Sequence, residues 1–286
     1  MLALRCAALL LLGAAAQGGA FAQGDAKRGA YLAKAAGCVG CHTEAKKDAT
    51  PFAGGRALKT PFGVFYGPNI TPHPAAGLGR WSEADFMRAM RLGLRPDGAN
   101  YFPAFPYPSF TRIADSDLRD LWAYLRTLPP SATASKEHDL RFPFGWRFLV
   151  TVWKWLFFSP GPFAADPASP PLVQRGAYLV QALGHCGECH TARNFLGGPK
   201  RDRALAGTAK GPEGDRVPNL TPAKLNKWSD AELKSFLQTG LTPDGDVVGE
   251  TMGEVIRNTT AELTPPDLAS TIAYLRSLPA IADEPD

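Results

Sequence analysis

Cysteine, methionine and histidine are all scarce in this 286-residue chain, with five, four and five copies. Cys6 lies in an N-terminal stretch that reads as a secretory leader. Arg5 is its charged start, Leu9 to Leu12 its apolar centre, and Ala20-Phe21-Ala22 a small-x-small cleavage pattern. Removal of residues 1–22 leaves four cysteines, and all four sit in two short motifs, so none remains for a structural disulfide. Long apolar runs are also lacking. The stretch Phe148–Phe158 is strongly apolar but carries Lys154, and it falls short of the about 20 residues needed to span a bilayer. A formal charge of only +4 gives no electrostatic footprint for nucleic acid.

The two motifs are Cys38-Val39-Gly40-Cys41-His42 and Cys186-Gly187-Glu188-Cys189-His190. Each is C-x-x-C-H, the attachment signature of c-type haem. Two cysteines at this spacing can add across the two vinyl groups of one porphyrin, and the adjoining histidine can reach the iron as proximal ligand. Zinc would want four ligands, usually two separated pairs, and no further Cys or His stands at finger spacing. A thioredoxin-like dithiol would sit beside a βαβ pattern, which the sequence lacks. The expected cofactors are therefore two covalently bound haems c, with Cys38, Cys41, His42, Cys186, Cys189 and His190 as their attachment and ligand residues. A leader also fits this chemistry, since bacterial c-type haem is attached outside the cytoplasm. The expected location is the periplasm.

Similarity between the two motif regions runs far beyond the motifs. Arg28-Gly29-Ala30-Tyr31-Leu32 recurs as Arg175-Gly176-Ala177-Tyr178-Leu179. Pro68-Asn69-Ile70-Thr71-Pro72 recurs as Pro218-Asn219-Leu220-Thr221-Pro222, and Ala123-Tyr124-Leu125-Arg126 as Ala273-Tyr274-Leu275-Arg276. The offset is 147 to 150 residues throughout, which marks a duplicated domain and not a short-period solenoid. The expected division is a leader 1–22, a first domain 23–133, an apolar linker 134–170 and a second domain 171–286.

Each copy predicts three helices among loops rich in Gly and Pro. The first leads into the motif. The second starts at Ser82 or Ser229, each followed three residues later by an acid, a capping-box pattern. The third runs through Ser116–Leu128 or Pro265–Leu278, where Leu118, Leu121, Trp122 and Leu125, or Leu268, Ile272 and Leu275, share a face. Strand signals are scarce, so the expected class is all-α. Charge divides unevenly: residues 23–170 carry 18 Lys/Arg against 12 Asp/Glu, and residues 171–286 carry 12 against 15. That asymmetry could orient the chain toward partners. The linker stretch Phe142 to Phe163 admits three readings: a helix clamping the domains together, a docking segment for a partner subunit, or an interfacial segment anchored by Trp146, Trp153 and Trp155.

Methionine scarcity sharpens the question of the second axial ligand. Met252 lies 62 residues after His190 and is the only methionine of the second copy. It falls in the loop expected before the last helix and is the expected distal ligand there. Trp228 to Met252 is 24 residues, and Trp81 to Phe105 is also 24, so Phe105 occupies the equivalent place in the first copy. Phenylalanine cannot ligate iron. Met87, Met90, His73, Tyr101, Tyr107 and His138 are the substitutes the sequence offers, with helix packing for the methionines, a solvated loop for His73, hydrogen bonding for the tyrosines and linker surface for His138 as the plainer readings. The preferred expectation is water or an open position.

The order of these segments, including Pro103-Ala104-Phe105-Pro106-Tyr107-Pro108-Ser109-Phe110 and the Phe142 to Phe158 connector, resembles the cytochrome c subunit of membrane-bound alcohol, aldehyde and gluconate dehydrogenases. The resemblance covers essentially the whole chain after the leader. It implies two tandem class I cytochrome c domains joined by an apolar linker helix. It further implies an electron relay from a partner dehydrogenase to quinone, an oxidase or another cytochrome. By resemblance His42 and His190 are proximal ligands and Met252 is a distal one, while the family's distal Met of the first domain has no counterpart here. A haem enzyme acting at the open position of the first haem is the alternative.

Overall fold

The computed structural model describes residues 24–283, so the expected leader lies outside the described residues. The first repeat contains α1 (Ala26–Ala35), α2 (Cys38–His42), α3 (Glu83–Leu92), α4 (Tyr107–Phe110) and α5 (Asp115–Leu125). A connecting helix, α6 (Arg147–Phe157), follows. The second repeat contains α7 (Pro171–Tyr178), α8 (Gly187–His190), α9 (Pro222–Leu225), α10 (Asp230–Thr239), α11 (Glu250–Asn258) and α12 (Pro265–Ser277).

The helix starts obey local chemistry. Ser82 and Ser229 each accept from the backbone N–H three residues on, and Asp85 and Glu232 reach back to complete both capping boxes. Thr264 caps α12, with Pro265 at its first position, where a missing N–H costs nothing. The first and last helices of each repeat cross closely. A β-carbon on Gly29 would lie 1.9 Å from the carbonyl oxygen of Asp120, and one on Gly176 would lie 1.9 Å from that of Ser270. Only glycine allows this approach, which explains why the R-G-A-Y-L segment keeps it in both copies.

One difference between the repeats has a clear structural cause. The offset is 147 at Leu32/Leu179 but 148 at Cys38/Cys186. The extra residue is absorbed in a π-helical turn at Leu179–Leu183, where the Gly184 N–H bonds to the Leu179 carbonyl at 2.7 Å.

The all-α expectation is corrected by a small antiparallel sheet. Strands β1 (Ala57–Thr60), β2 (Gly63–Tyr66) and β3 (Asp139–Leu140) lie in that order, with Ala57 opposite Tyr66 and Gly63 opposite Leu140. The third strand comes from the start of the expected linker. His138, expected at the linker surface, is instead half-buried between Phe65 and Phe102, where its Nδ1 accepts the Tyr66 N–H at 3.1 Å. Short strands of four and two residues leave almost no period-2 signal, which is why sequence pattern missed them.

The apolar core is not confined to one repeat. Leu32, Phe110, Ile113, Leu118 and Leu121 form a single cluster with Tyr178, Leu179 and Leu183 of the second repeat. A second cluster, around Leu233, Leu268 and Ile272, belongs to the second repeat alone. Helix α6 is pinned by one face. Lys154 donates to the carbonyls of Leu92 and Gly93 at the end of α3, and Phe157 lies against Gly198 of the second repeat. Its other face is bare, with Phe148, Val152, Trp155 and Leu156 all exposed.

Polar bonds cross between the repeats. Tyr31 on α1 donates to Asp267 on α12 at 2.5 Å, and Tyr178 on α7 donates to Asp117 on α5 at 2.6 Å. Asp267 is also held by Arg175 in two bonds of 2.8 and 2.7 Å. Burial alone would raise the Asp267 pKa, but Arg175 and Tyr31 outweigh it and hold it below the ordinary value.

Two outcomes are expected. Gly29→Ala gains about 1 kcal/mol of helix propensity but forces a β-carbon into backbone, so a net loss of about 1–3 kcal/mol follows in thermal unfolding of the haem-loaded protein. The stability supplied by ionised Asp267 is present above about pH 4 and is lost as acid passes through its lowered pKa, so Asp267→Asn flattens the acid limb of a stability–pH curve.

Candidate haem sites

Both C-x-x-C-H motifs form short helical turns, α2 and the segment through α8. The chain enters each in the left-handed region. Gly37 does so at φ 62°, and at the matching place His185 does so at φ 41° with its ring stacked on Phe110, centroids 5.3 Å apart. Within each motif the thiols are free, not joined in a disulfide. Burial raises all four thiol pKa values, Cys38 and Cys186 to about 12 and Cys189 to about 11. A redox dithiol needs the opposite shift, toward a reactive thiolate. These are protonated, sheltered thiols, which fits addition to a porphyrin and not disulfide exchange. Among the described residues no group of three or more His, Cys, Asp or Glu is placed to hold a metal ion directly.

The histidines decide what the motifs can hold. His42 Nδ1 lies 2.7 Å from the Pro68 carbonyl, and His190 Nδ1 lies 2.7 Å from the Pro218 carbonyl. A carbonyl only accepts, so each Nδ1 carries the hydrogen and each Nε2 keeps its lone pair for a metal. Burial lowers both imidazole pKa values against the smaller upward pull of the proline carbonyl, so the rings are held in the neutral, ligating form.

The carbonyls are fixed in turn by asparagine. Asn69 donates to the carbonyls of Ser131 and Thr133 at 2.9 and 2.8 Å and accepts the Thr71 N–H at 2.9 Å. Asn219 donates to the Ile281 carbonyl at 2.7 Å and accepts the Thr221 N–H at 2.7 Å. This accounts for the duplicated P-N-[I/L]-T-P segment. Proline supplies the acceptor, and the buried asparagine anchors the loop to the chain that follows the last helix.

On the distal side the copies differ. Met252 is the third residue of α11, half-buried, and therefore on a helix where a loop was expected. It shares a helix face with the buried Ile256, while Glu254 and Asn258 on the other side approach Gly40 of the first motif. Phe105 is half-buried in an aromatic group, edge-on to Tyr101, Tyr107 and Phe110 at 5.4, 6.2 and 5.8 Å. Met90 is buried in the first core and Met87 packs against it. His73 uses Nδ1 to accept the N–H groups of Ala75 and Ala76, a local turn. Tyr107 is fully buried, and its hydroxyl has no hydrogen-bond partner among the described residues.

The cytochrome c family pattern matches residues 26–129, which contain the first motif, its proline loop and the closing helix. The chain is 44% identical over 264 residues to a dihaem cytochrome c-type protein of Cereibacter sphaeroides, covering 90% of this chain and 87% of that protein. This chain belongs to the c-type cytochromes. That membership supports haem c as its cofactor. The cytochrome is also 40% identical to the fructose dehydrogenase cytochrome subunit of Gluconobacter japonicus. It is 36% identical to the alcohol dehydrogenase (quinone) cytochrome c subunit of Gluconobacter oxydans. Each match covers 90% of this chain, but the cytochrome spans about half the length of those two subunits, 53% and 55%.

Sequence reasoning missed the contacts between the two motif regions. Arg56 pairs with Glu254 across the repeats, and Ser109 donates to Glu188, inside the second motif, at 2.8 Å. The only available signal was that Tyr31/Tyr178 and Asp117/Asp267 are the same residues at matching places. In the cytochrome, Asn69→Ala leaves carbonyls and the Thr71 N–H without their buried partner, at a cost of about 1–3 kcal/mol. Thermal unfolding should show that loss, with altered visible absorption at the first haem as His42 loses its fixed orientation.

Proposed function

We propose that the chain is a two-haem electron relay of the periplasm, with one covalently attached haem c at each motif and no substrate chemistry of its own. The observation that carries this reading is the same histidine–proline bond, 2.7 Å in both copies, beside two pairs of sheltered thiols. Haem c supplies a one-electron couple at its iron. The chain's own part is to present Nε2 of His42 and His190, to keep both imidazoles neutral, and to surround each site with apolar side chains. On this reading residues 23–133 and 171–286 are the two haem domains, entered after removal of a leader 1–22, with 134–170 between them.

Met252 would supply the second ligand to a haem held by His190, and a haem held by His42 would have water or an open position, because Phe105 stands where a methionine would. A haem without the methionine has the lower potential, so electrons enter there and leave by the second. The donor is a dehydrogenase subunit, as the names of the similar proteins suggest, and the acceptor is a quinone, an oxidase or another cytochrome. The bare face of α6, continued through Trp146 and Phe142, is the surface this reading lays on the membrane interface. No helix among the described residues is long and apolar enough to cross a membrane, and exposed Trp and Phe suit the headgroup level.

A haem enzyme at the first site is the second reading, favoured by Phe105 alone. Peroxide chemistry wants a distal acid or base that exchanges a proton near neutral pH. The phenols beside Phe105 do not offer one, since burial raises both and takes Tyr101 to about 12. The relay is therefore expected to bind carbon monoxide in its reduced state at one haem of two, with Met252→Ala raising this to both. No binding in the parent protein would show a protein ligand opposite His42. Turnover of peroxide without any partner would favour the enzyme.

A further inference from the structure

The two repeats are joined by one bond made twice, in opposite directions. Tyr31 of the first repeat reaches Asp267 of the second, and Tyr178 of the second reaches Asp117 of the first. Each aspartate is also gripped by the arginine of its own repeat, Arg175 on Asp267 and Arg28 on Asp117. Bonds of this kind, with an ionised acceptor, are the stronger and more directional class. The arrangement is a local two-fold: equivalent tyrosines on the first helices exchange partners on the last helices.

Interfaces between domains of one chain ordinarily permit relative motion unless they are large and hydrophobic. Here the crossed bonds lie over an apolar cluster shared by both repeats, with Leu32 and Phe110 on one side and Leu179 and Leu183 on the other. The same arrangement brings each motif against the other repeat. Glu254 on α11 meets Arg56 and approaches Gly40 of the first motif, and Ser109 on α4 meets Glu188 of the second. Whatever fixes the angle between the repeats therefore fixes the separation of the two motifs.

We propose that the crossed Tyr31–Asp267 and Tyr178–Asp117 bonds form a clasp that sets the distance between the two haems, and that Tyr31 and Tyr178 are positioning residues for electron transfer between the repeats. This rests on the two-haem relay proposed above. In the step concerned, one electron leaves one repeat and arrives in the other. The donor site is oxidised by one electron and the acceptor site reduced by one, with no bond made or broken. Tyrosine and aspartate keep their protons and their oxidation state; they act only through distance. Tunnelling falls steeply with distance, so a small opening of the clasp slows it without altering either haem.

The test uses the haem-loaded, full chain with Tyr31→Phe and Tyr178→Phe combined, a change that removes two hydroxyls and little volume. One haem is photoreduced by a flash, and the rate of electron equilibration within the molecule is read. The rate is expected to fall roughly tenfold or more, on the scale by which an ångström of misplacement slows other positioned reactions, with the visible spectra and both potentials unchanged. Tyr31→Phe alone gives a smaller fall and serves if the double variant folds poorly. Glu262→Gln removes an exposed pair with Lys34 that also crosses the repeats, and it leaves the rate unchanged. An unchanged rate in the double variant, in protein carrying two haems per chain, overturns the clasp. Fewer than two haems per chain in the parent protein overturns the relay reading instead.

Discussion

A histidine beside two cysteines is fixed in tautomer and direction for a metal when its other nitrogen is held by a hydrogen bond. In this cytochrome a proline carbonyl takes that nitrogen in both repeats, and much of the structure serves to hold the carbonyl still. Asn69 and Asn219 anchor the proline loops to the chain beyond the last helix. The last helix is fixed against the first by a crossing so close that only glycine fits at Gly29 and Gly176. The first helix runs directly into the motif. Each of these layers acts on the orientation of the ring and none of them touches the motif thiols, so orientation and attachment are separable.

Duplication made most of this legible in the sequence. The motifs named the cofactor, the repeated Pro-Asn pair marked the loop, and the Ser82/Asp85 and Ser229/Glu232 boxes set two helix starts. What stayed hidden was either too short or too distant in sequence for periodicity to report. The sheet uses strands of four and two residues. The π turn announced itself only as a one-residue change in offset. The crossed Tyr–Asp bonds join residues more than 60 and more than 230 positions apart, and no local pattern encodes such a pairing. Met252 was expected in a loop and lies instead on α11.

The repeats are alike around the two C-x-x-C-H motifs and unlike at Met252 and Phe105. A methionine at one distal position and a phenylalanine among tyrosines at the other give two environments within one symmetrical frame. Symmetry brings the two motif regions together; the difference between Met252 and Phe105 is what the proposed direction of electron flow rests on. The bare aromatic face of α6 adds a third element, a surface placed by contacts to both repeats yet buried by neither. Such a face is costly to leave in water, and it lies beside both repeats.

The central claim is that each motif carries its own covalently attached haem in a single relay. Intact mass measurement of the exported protein under denaturing conditions tests it most directly, because only thioether-linked haem survives unfolding. The account predicts a chain heavier by two haems, falling to one when either cysteine pair is replaced by alanine. A chain carrying one haem, or none, would contradict it.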